Sequence, residues 1–143
     1  MLKQTNTPNA PGAIGPYSQA ISHGGLVFTS GQIPLDPKTG EVVGSDVAAQ
    51  AEMVMKNLGA VLEASGAGFD SVVKTTCFIT NMRDFAAFNE VYSKYFTADP
   101  KPARSCFAVR ELPKSVLCEV EAIAVIKLRS SIEKPAKIPS AVN

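Results

Sequence analysis

The segment Leu117–Leu128 constrains the fold most, because both sides of the strand it predicts carry apolar residues. Cys118, Val120, Ala122, Ala124, Ile126 and Leu128 fall on one side. Glu119, Glu121, Ile123, Val125 and Lys127 fall on the other, since successive side chains in a strand point to opposite faces. A sheet holding such a strand needs cover on both faces. The rest of the chain offers two helices, and two helices cover one face. A second copy of the chain is the natural lid on the other, so the pattern predicts a homo-oligomer.

The first helix follows Asp46 or Ser45, either of which suits an N-cap. Val47, Ala51, Val54, Met55, Leu58, Val61 and Leu62 recur at steps of three and four, and Gln50, Glu52, Lys56, Asn57 and Glu63 lie away from that stripe. Gly66 stands where a glycine ends a helix. A second helix is expected after an Asp84 cap, with Phe85, Phe88, Tyr92, Tyr95 and Phe96 as its core-facing stripe. Asp99-Pro100-Lys101-Pro102 stops it.

Strands are expected at Tyr17–Ile21, Leu26–Ser30, Val72–Thr80 and Ala103–Val109, besides the last. His23-Gly24-Gly25 reads as the turn between the first two. GQIPLDPKTGEVV reads as a hairpin-like excursion around its Pro and Gly turn. Residues up to Gly15 read as a polar lead-in arm. The order favours an α+β layer, a mixed sheet with two helices on one face. Residues 1–128 form the expected domain. Residues 129–143 are polar, with Pro135 and Pro139 and no periodicity, and read as a tail.

The chain has 143 residues, about one domain, with 14 basic and 13 acidic side chains. A net charge of +1 without a basic block argues against a role that neutralises many phosphates. Its one histidine, His23, leaves little for zinc sites or for Ser-His and Cys-His nucleophile pairs. Cys77, Cys106 and Cys118 sit in apolar stretches and read as buried free thiols. No apolar run approaches the ~18 residues of a membrane span. MLKQTNTPNAPG has neither a signal-peptide core nor a transit-peptide pattern. The expected location is cytoplasmic, with organelle import left open.

Arg104 is the most informative residue. It shares a strand face with Cys106 and Ala108, so its planar fork has room for a small carboxylate. The alternative is a structural ion pair with Glu119 or Glu121. Those two acids share a face about 6–7 Å apart, a spacing for acid–base work or for salt bridges and edge charges. Cys106 beside a cation is a candidate nucleophile, but with no histidine near it in sequence a pocket wall fits better. Tyr17, beside a Gly-Pro turn, offers a phenol to a site or packs at an interface. No GxGxxG or GxxxxGK[ST] motif supports a nucleotide cradle.

These constellations resemble the RidA/YjgF family. The resemblance rests on GPYSQA at Gly15–Ala20, TSGQIP at Thr29–Pro34, DPKTGEV at Asp36–Val42 and VKTTCFITNMRDFAAFNEVY at Val73–Tyr92. PARSCFAV at Pro102–Val109 and the LPK…CEVEAIAV run at Leu112–Val125 complete it. It implies a chorismate-mutase-like α+β fold. It also implies a homotrimer whose sheets line a central barrel, with pockets between subunits.

The implied activity is that of a 2-iminobutanoate/2-iminopropanoate deaminase, which turns reactive enamines and imines into a 2-oxo acid and ammonia. No metal or organic cofactor is implied. By the same resemblance Arg104 grips the substrate carboxylate and Glu119 positions the attacking water. The Cys106 backbone meets the ligand, and Tyr17, Ser30 and Gly31 line the pocket. Asn89 and Phe88 match a helix position near the neighbouring pocket, and Glu121 matches an acid of structural character. The rival expectations are a non-catalytic carboxylate-binding trimer, a ribonuclease or translation inhibitor, and a chaperone-like protein.

Overall fold

The computed structural model describes residues 1–127. The tail expected at 129–143, and its boundary at Leu128, lie outside the described residues. The elements run β1 (Lys3–Thr5), β2 (Ala20–His23), β3 (Leu26–Thr29), α1 (Val47–Ala64), β4 (Val72–Ile79), α2 (Phe85–Ser93), β5 (Ala103–Ala108) and β6 (Cys118–Val125). The strands form one mixed sheet in the order β1-β2-β3-β6-β4-β5. β4 and β5 are parallel, and the other pairs are antiparallel. The expected α+β architecture is the observed one.

Helix α1 starts and stops as its sequence dictates. The Asp46 carboxylate accepts the Ala49 N–H at 2.8 Å from an extended N-cap. At the far end Gly66 takes φ +86°, which a side chain would resist, and Ala67 N–H donates back to the Leu62 carbonyl at 2.8 Å. All seven stripe residues from Val47 to Leu62 are buried. The excursion after Gly31 also forms as expected: Leu35 bridges to Val42, and Asp36 Oδ1 accepts the Lys38 N–H at 2.7 Å.

The structure corrects several boundaries. Lys3–Thr5, inside the expected arm, pairs with β2 as an edge strand. β2 begins at Ala20, which leaves Tyr17 in a turn where its N–H donates to the Gly15 carbonyl at 2.9 Å. β6 ends at Val125 rather than Leu128. Asp84 makes no side-chain cap to α2. The short turn before it, Met82–Asp84, takes its cap from Asn81, whose Oδ1 accepts the Arg83 N–H at 2.8 Å.

Gln50 and Asn57 also depart from expectation, being buried with only 5% and 1% of their surface exposed. Each hydrogen-bonds backbone groups of neighbouring loops. Gln50 Oε1 accepts the Leu117 N–H at 2.7 Å, and its amide donates to the Gly44 carbonyl. The Asn57 amide donates to the Ile33 and Leu35 carbonyls. A helix face read as polar thus braces the loops on either side of the candidate site.

Both helices pack on one sheet face. Cys118, Val120, Ala122 and Ala124 of β6 are buried beneath them, with Cys77 and Ile79 of β4. The opposite face stays open and partly apolar: Phe28, Val73, Phe107 and Val125 are 44%, 46%, 52% and 43% exposed. This is the uncovered face that the alternation in the last strand anticipated.

Candidate functional site

The first group of site residues lies on the helix-covered face near the outer strand β5. Arg104 pairs in register with Thr75 and Cys106 with Cys77, both residues of the covered face. One turn of α2 and the next bring Phe85, Asn89 and Tyr92 to the same helix side, since i, i+4 and i+7 share a face. Arg104 Nη1 donates to Asn89 Oδ1 at 2.7 Å. Its guanidinium carbon lies 4.7 Å from the Tyr92 ring centre and 5.5 Å from that of Phe85. The Tyr92 hydroxyl is in turn hydrogen-bonded to Thr75 Oγ1 at 2.8 Å, and Thr75 is fully buried.

Within the chain this seating gives Arg104 no ion pair with Glu119 or Glu121, the alternative read from sequence. Among the described residues no acid lies within salt-bridge distance of it. Aromatic rings and one neutral amide hold the cation, and among the described residues its charge has no anionic partner. An open cleft of about 320 Å³ runs beside it, lined by Asn89, Tyr92, Phe96, Lys101 and Arg104 among others.

Cys106, next along the strand face, is partly buried, and that burial pushes its thiol pKa up while the Arg104 charge opposes the shift. Burial pushes the Cys77 thiol up to about 12. A thiol so held is a poor nucleophile. Phe88, expected near the pocket, is fully buried in the core against Tyr92 instead.

The second group lies on the other side of the sheet, where β3 ends against β6. Ser30 Oγ donates to the Ser18 carbonyl at 2.6 Å, and Ser30 N–H to the Gln19 carbonyl. Gln32 then bridges to Val120, with Gln32 N–H donating to the Val120 carbonyl at 2.9 Å. Between them Gly31 faces the Glu119 carboxyl. Tyr17 is exposed, and its hydroxyl accepts the Ile14 N–H at 3.1 Å. Tyr17 and Gly31 line a shallow hollow with Gly12, Ile14 and Gln32. The Glu119 pKa is raised, first by burial and then by the neighbouring Glu121 charge.

Within one chain the expected site residues therefore fall into two sets. Arg104, Cys106 and Asn89 form one; Tyr17, Ser30, Gly31 and Glu119 form the other. Sequence reasoning missed Tyr92, Phe85 and Thr75 as supports of the guanidinium. The available signal was the spacing of Phe85, Asn89 and Tyr92, which sets a polar amide inside an aromatic helix stripe.

A family profile described as Endoribonuclease L-PSP matches residues 7–126. The chain is 50% identical over 127 residues to the 2-iminobutanoate/2-iminopropanoate deaminase of Escherichia coli K12, covering 87% of this chain and 98% of that one. It is 54% identical over 125 residues to protein DfrA of Myxococcus xanthus, covering 86% and 95%. The crystal structure of Escherichia coli TdcF with bound serine superposes with a TM-score of 0.81 at 48% identity, covering 86% and 98%. On its ordered motifs, its matched length and its fold, the chain belongs to the RidA/YjgF family.

Proposed function

We propose that the protein is a hydrolytic deaminase of small 2-imino acids, namely 2-aminoacrylate/2-iminopropanoate and 2-iminobutanoate. The observation that carries this reading is the Arg104 guanidinium, without an acidic partner among the described residues and held by Asn89, Tyr92 and Phe85 beside an open cleft. The rings flank the guanidinium and the Asn89 amide takes one Nη1 donor, and in this reading other N–H donors of its planar fork meet the carboxylate. Half-identity to a named deaminase supports the same reaction class.

The proposed chemistry needs little machinery. Arg104 binds the substrate carboxylate and fixes the adjacent C=N carbon. Glu119 holds a water against that carbon and takes its proton as the C–O bond forms. Glu119 passes that proton to the nitrogen, the intermediate's hydroxyl gives up a second as its oxygen becomes the carbonyl, and ammonia leaves as the C–N bond breaks, so a 2-oxo acid remains. Positioning of this kind lowers a barrier by on the order of several kcal/mol, and the substrate is already electrophilic. Tyr17, Ser30, Gly31 and Cys106 line the substrate pocket in this reading.

The two sets of residues meet only if separate protomers contribute them, so the reading includes a homotrimer with sites between subunits. The apolar open face of the sheet supports that assembly. Among the described residues no helix is long and apolar enough to cross a membrane, and we propose a cytoplasmic location. The deciding experiment is a coupled assay in which a dehydratase generates iminopropanoate. Ammonia release above the spontaneous rate supports the reading, and an unchanged rate rejects it. The description of the matched family profile raises ribonuclease activity as a second reading. Salt-dependent RNA binding with cleavage would favour it, whereas a net charge of +1 does not.

A further inference from the structure

Gly31 differs from the other tightly packed glycines of the chain. A Cβ at Gly44 would meet backbone atoms of Ala49 and Gln50 at 3.0 Å, at a φ of +97°. A Cβ at Gly59 would meet the Phe69 ring at 2.9 Å. Both belong to the packing of the fold. A Cβ at Gly31 would lie 2.0 Å from Glu119 Oε2, 2.8 Å from Cδ and 3.0 Å from Cγ. The nearest atoms it would meet are all in that one side chain.

Backbone conformation does not account for the glycine either, since Gly31 is absent from the residues with positive φ. The backbone there accepts an alanine, and the three nearest atoms its Cβ would meet belong to a flexible carboxylic side chain. The Glu119 carboxyl thus lies directly against the bare Cα of Gly31, in the space a side chain at position 31 would fill.

We propose that Gly31 is a positioning residue: its missing side chain is the seat that holds the Glu119 carboxyl where it can meet water. The proposal deepens the deaminase reading, and rests on it for its catalytic consequence alone. An added methyl at position 31 turns the carboxylate out toward solvent and leaves the strand pairing intact.

The test uses the full chain carrying Gly31→Ala, with Glu119→Gln, Glu119→Ala and the Gly31→Ala double variants. Carbon-13 carboxyl NMR across a pH titration reads the seat without any need for activity. The Glu119 pKa should move down toward the ordinary carboxylate range in Gly31→Ala, while other carboxyls stay put. In the coupled assay Gly31→Ala should lower kcat about a hundredfold with KM within about twofold. Adding it to Glu119→Gln should produce no further loss. Any fall in Tm should vanish in the Glu119→Ala background, where the conflicting side chain is gone.

An unmoved Glu119 titration, losses that multiply in the double variant, or a Tm loss that persists without Glu119 would overturn the proposal. A wild-type chain without imine hydrolysis would instead remove the deaminase reading, and the titration would still decide the role of Gly31.

Discussion

Arg104 and Glu119 project from opposite faces of one sheet. Both flank β4, where Arg104 is level with Thr75 and Glu119 with Phe78. Positions three apart in a strand point to opposite sides, and Thr75 is buried under the helices whereas Phe78 lies on the open face. No side-chain rotation within one protomer carries a guanidinium through a hydrogen-bonded sheet. The proposed site, which uses both residues, therefore draws them from separate protomers.

Sharing makes complementation measurable. Arg104→Ala and Glu119→Gln chains should each be inactive alone. Unfolded together in equal amounts and refolded, they should recover about a quarter of wild-type activity by random assortment, since each shared site draws two residues from two chains. No recovery, with mixed oligomers demonstrated by mass, would place both residues' work within single protomers. Light scattering should give a mass near three times the 15.1 kDa chain, and a monomer at micromolar concentration would refute the assembly.

The grip on the carboxylate depends on shape as well as charge. Arg104→Ala should lower kcat/KM by about a thousandfold, and Arg104→Lys should remain about a hundredfold down, because an ammonium lacks the planar fork. Tyr92→Leu removes the ring beneath the guanidinium. It should weaken pyruvate binding, read by calorimetry, by up to about tenfold. Unchanged pyruvate affinity in both Arg104→Ala and Tyr92→Leu would separate this cleft from substrate binding.

Glu119 should set the acid limb of the pH profile. Its pKa is raised by burial and by Glu121, so the ionised base is lost as pH falls through a value above the ordinary carboxylate range. Stability runs the other way. A carboxyl with a raised folded pKa binds more protons folded than unfolded between its two pKa values, so stability falls as pH rises through that window. Glu119→Gln should therefore raise Tm at neutral pH and leave it unchanged well below both values. A Tm gain at low pH, or none at neutrality, would contradict the assignment.

Cys106 should be dispensable as a thiol. Its pKa is raised by burial, and the Cys77 and Cys118 thiols are pushed up to about 12 by the same cause. Cys106→Ala should keep kcat within about threefold, and iodoacetamide should label the native protein slowly at mild pH. A hundredfold loss of kcat would revive a nucleophilic role.

Local sequence carried much of this protein. The Val47–Leu62 stripe, its Asp46 cap and its Gly66 stop specify α1 from spacing and chemistry confined to a few neighbours. Alternation in β6 announced a sheet with apolar residues on both faces, which the open-face Phe28, Phe107 and Val125 match. What tertiary structure decided is where distant segments meet. The close approach of Glu119 to Gly31 joins residues far apart in the chain, and the burial of Gln50 joins α1 to Leu117. Periodicity reports which way a side chain points from its own strand or helix. It does not report which strand lies beside it, and the register of β4 between β5 and β6 is what set Arg104 and Glu119 on opposite faces.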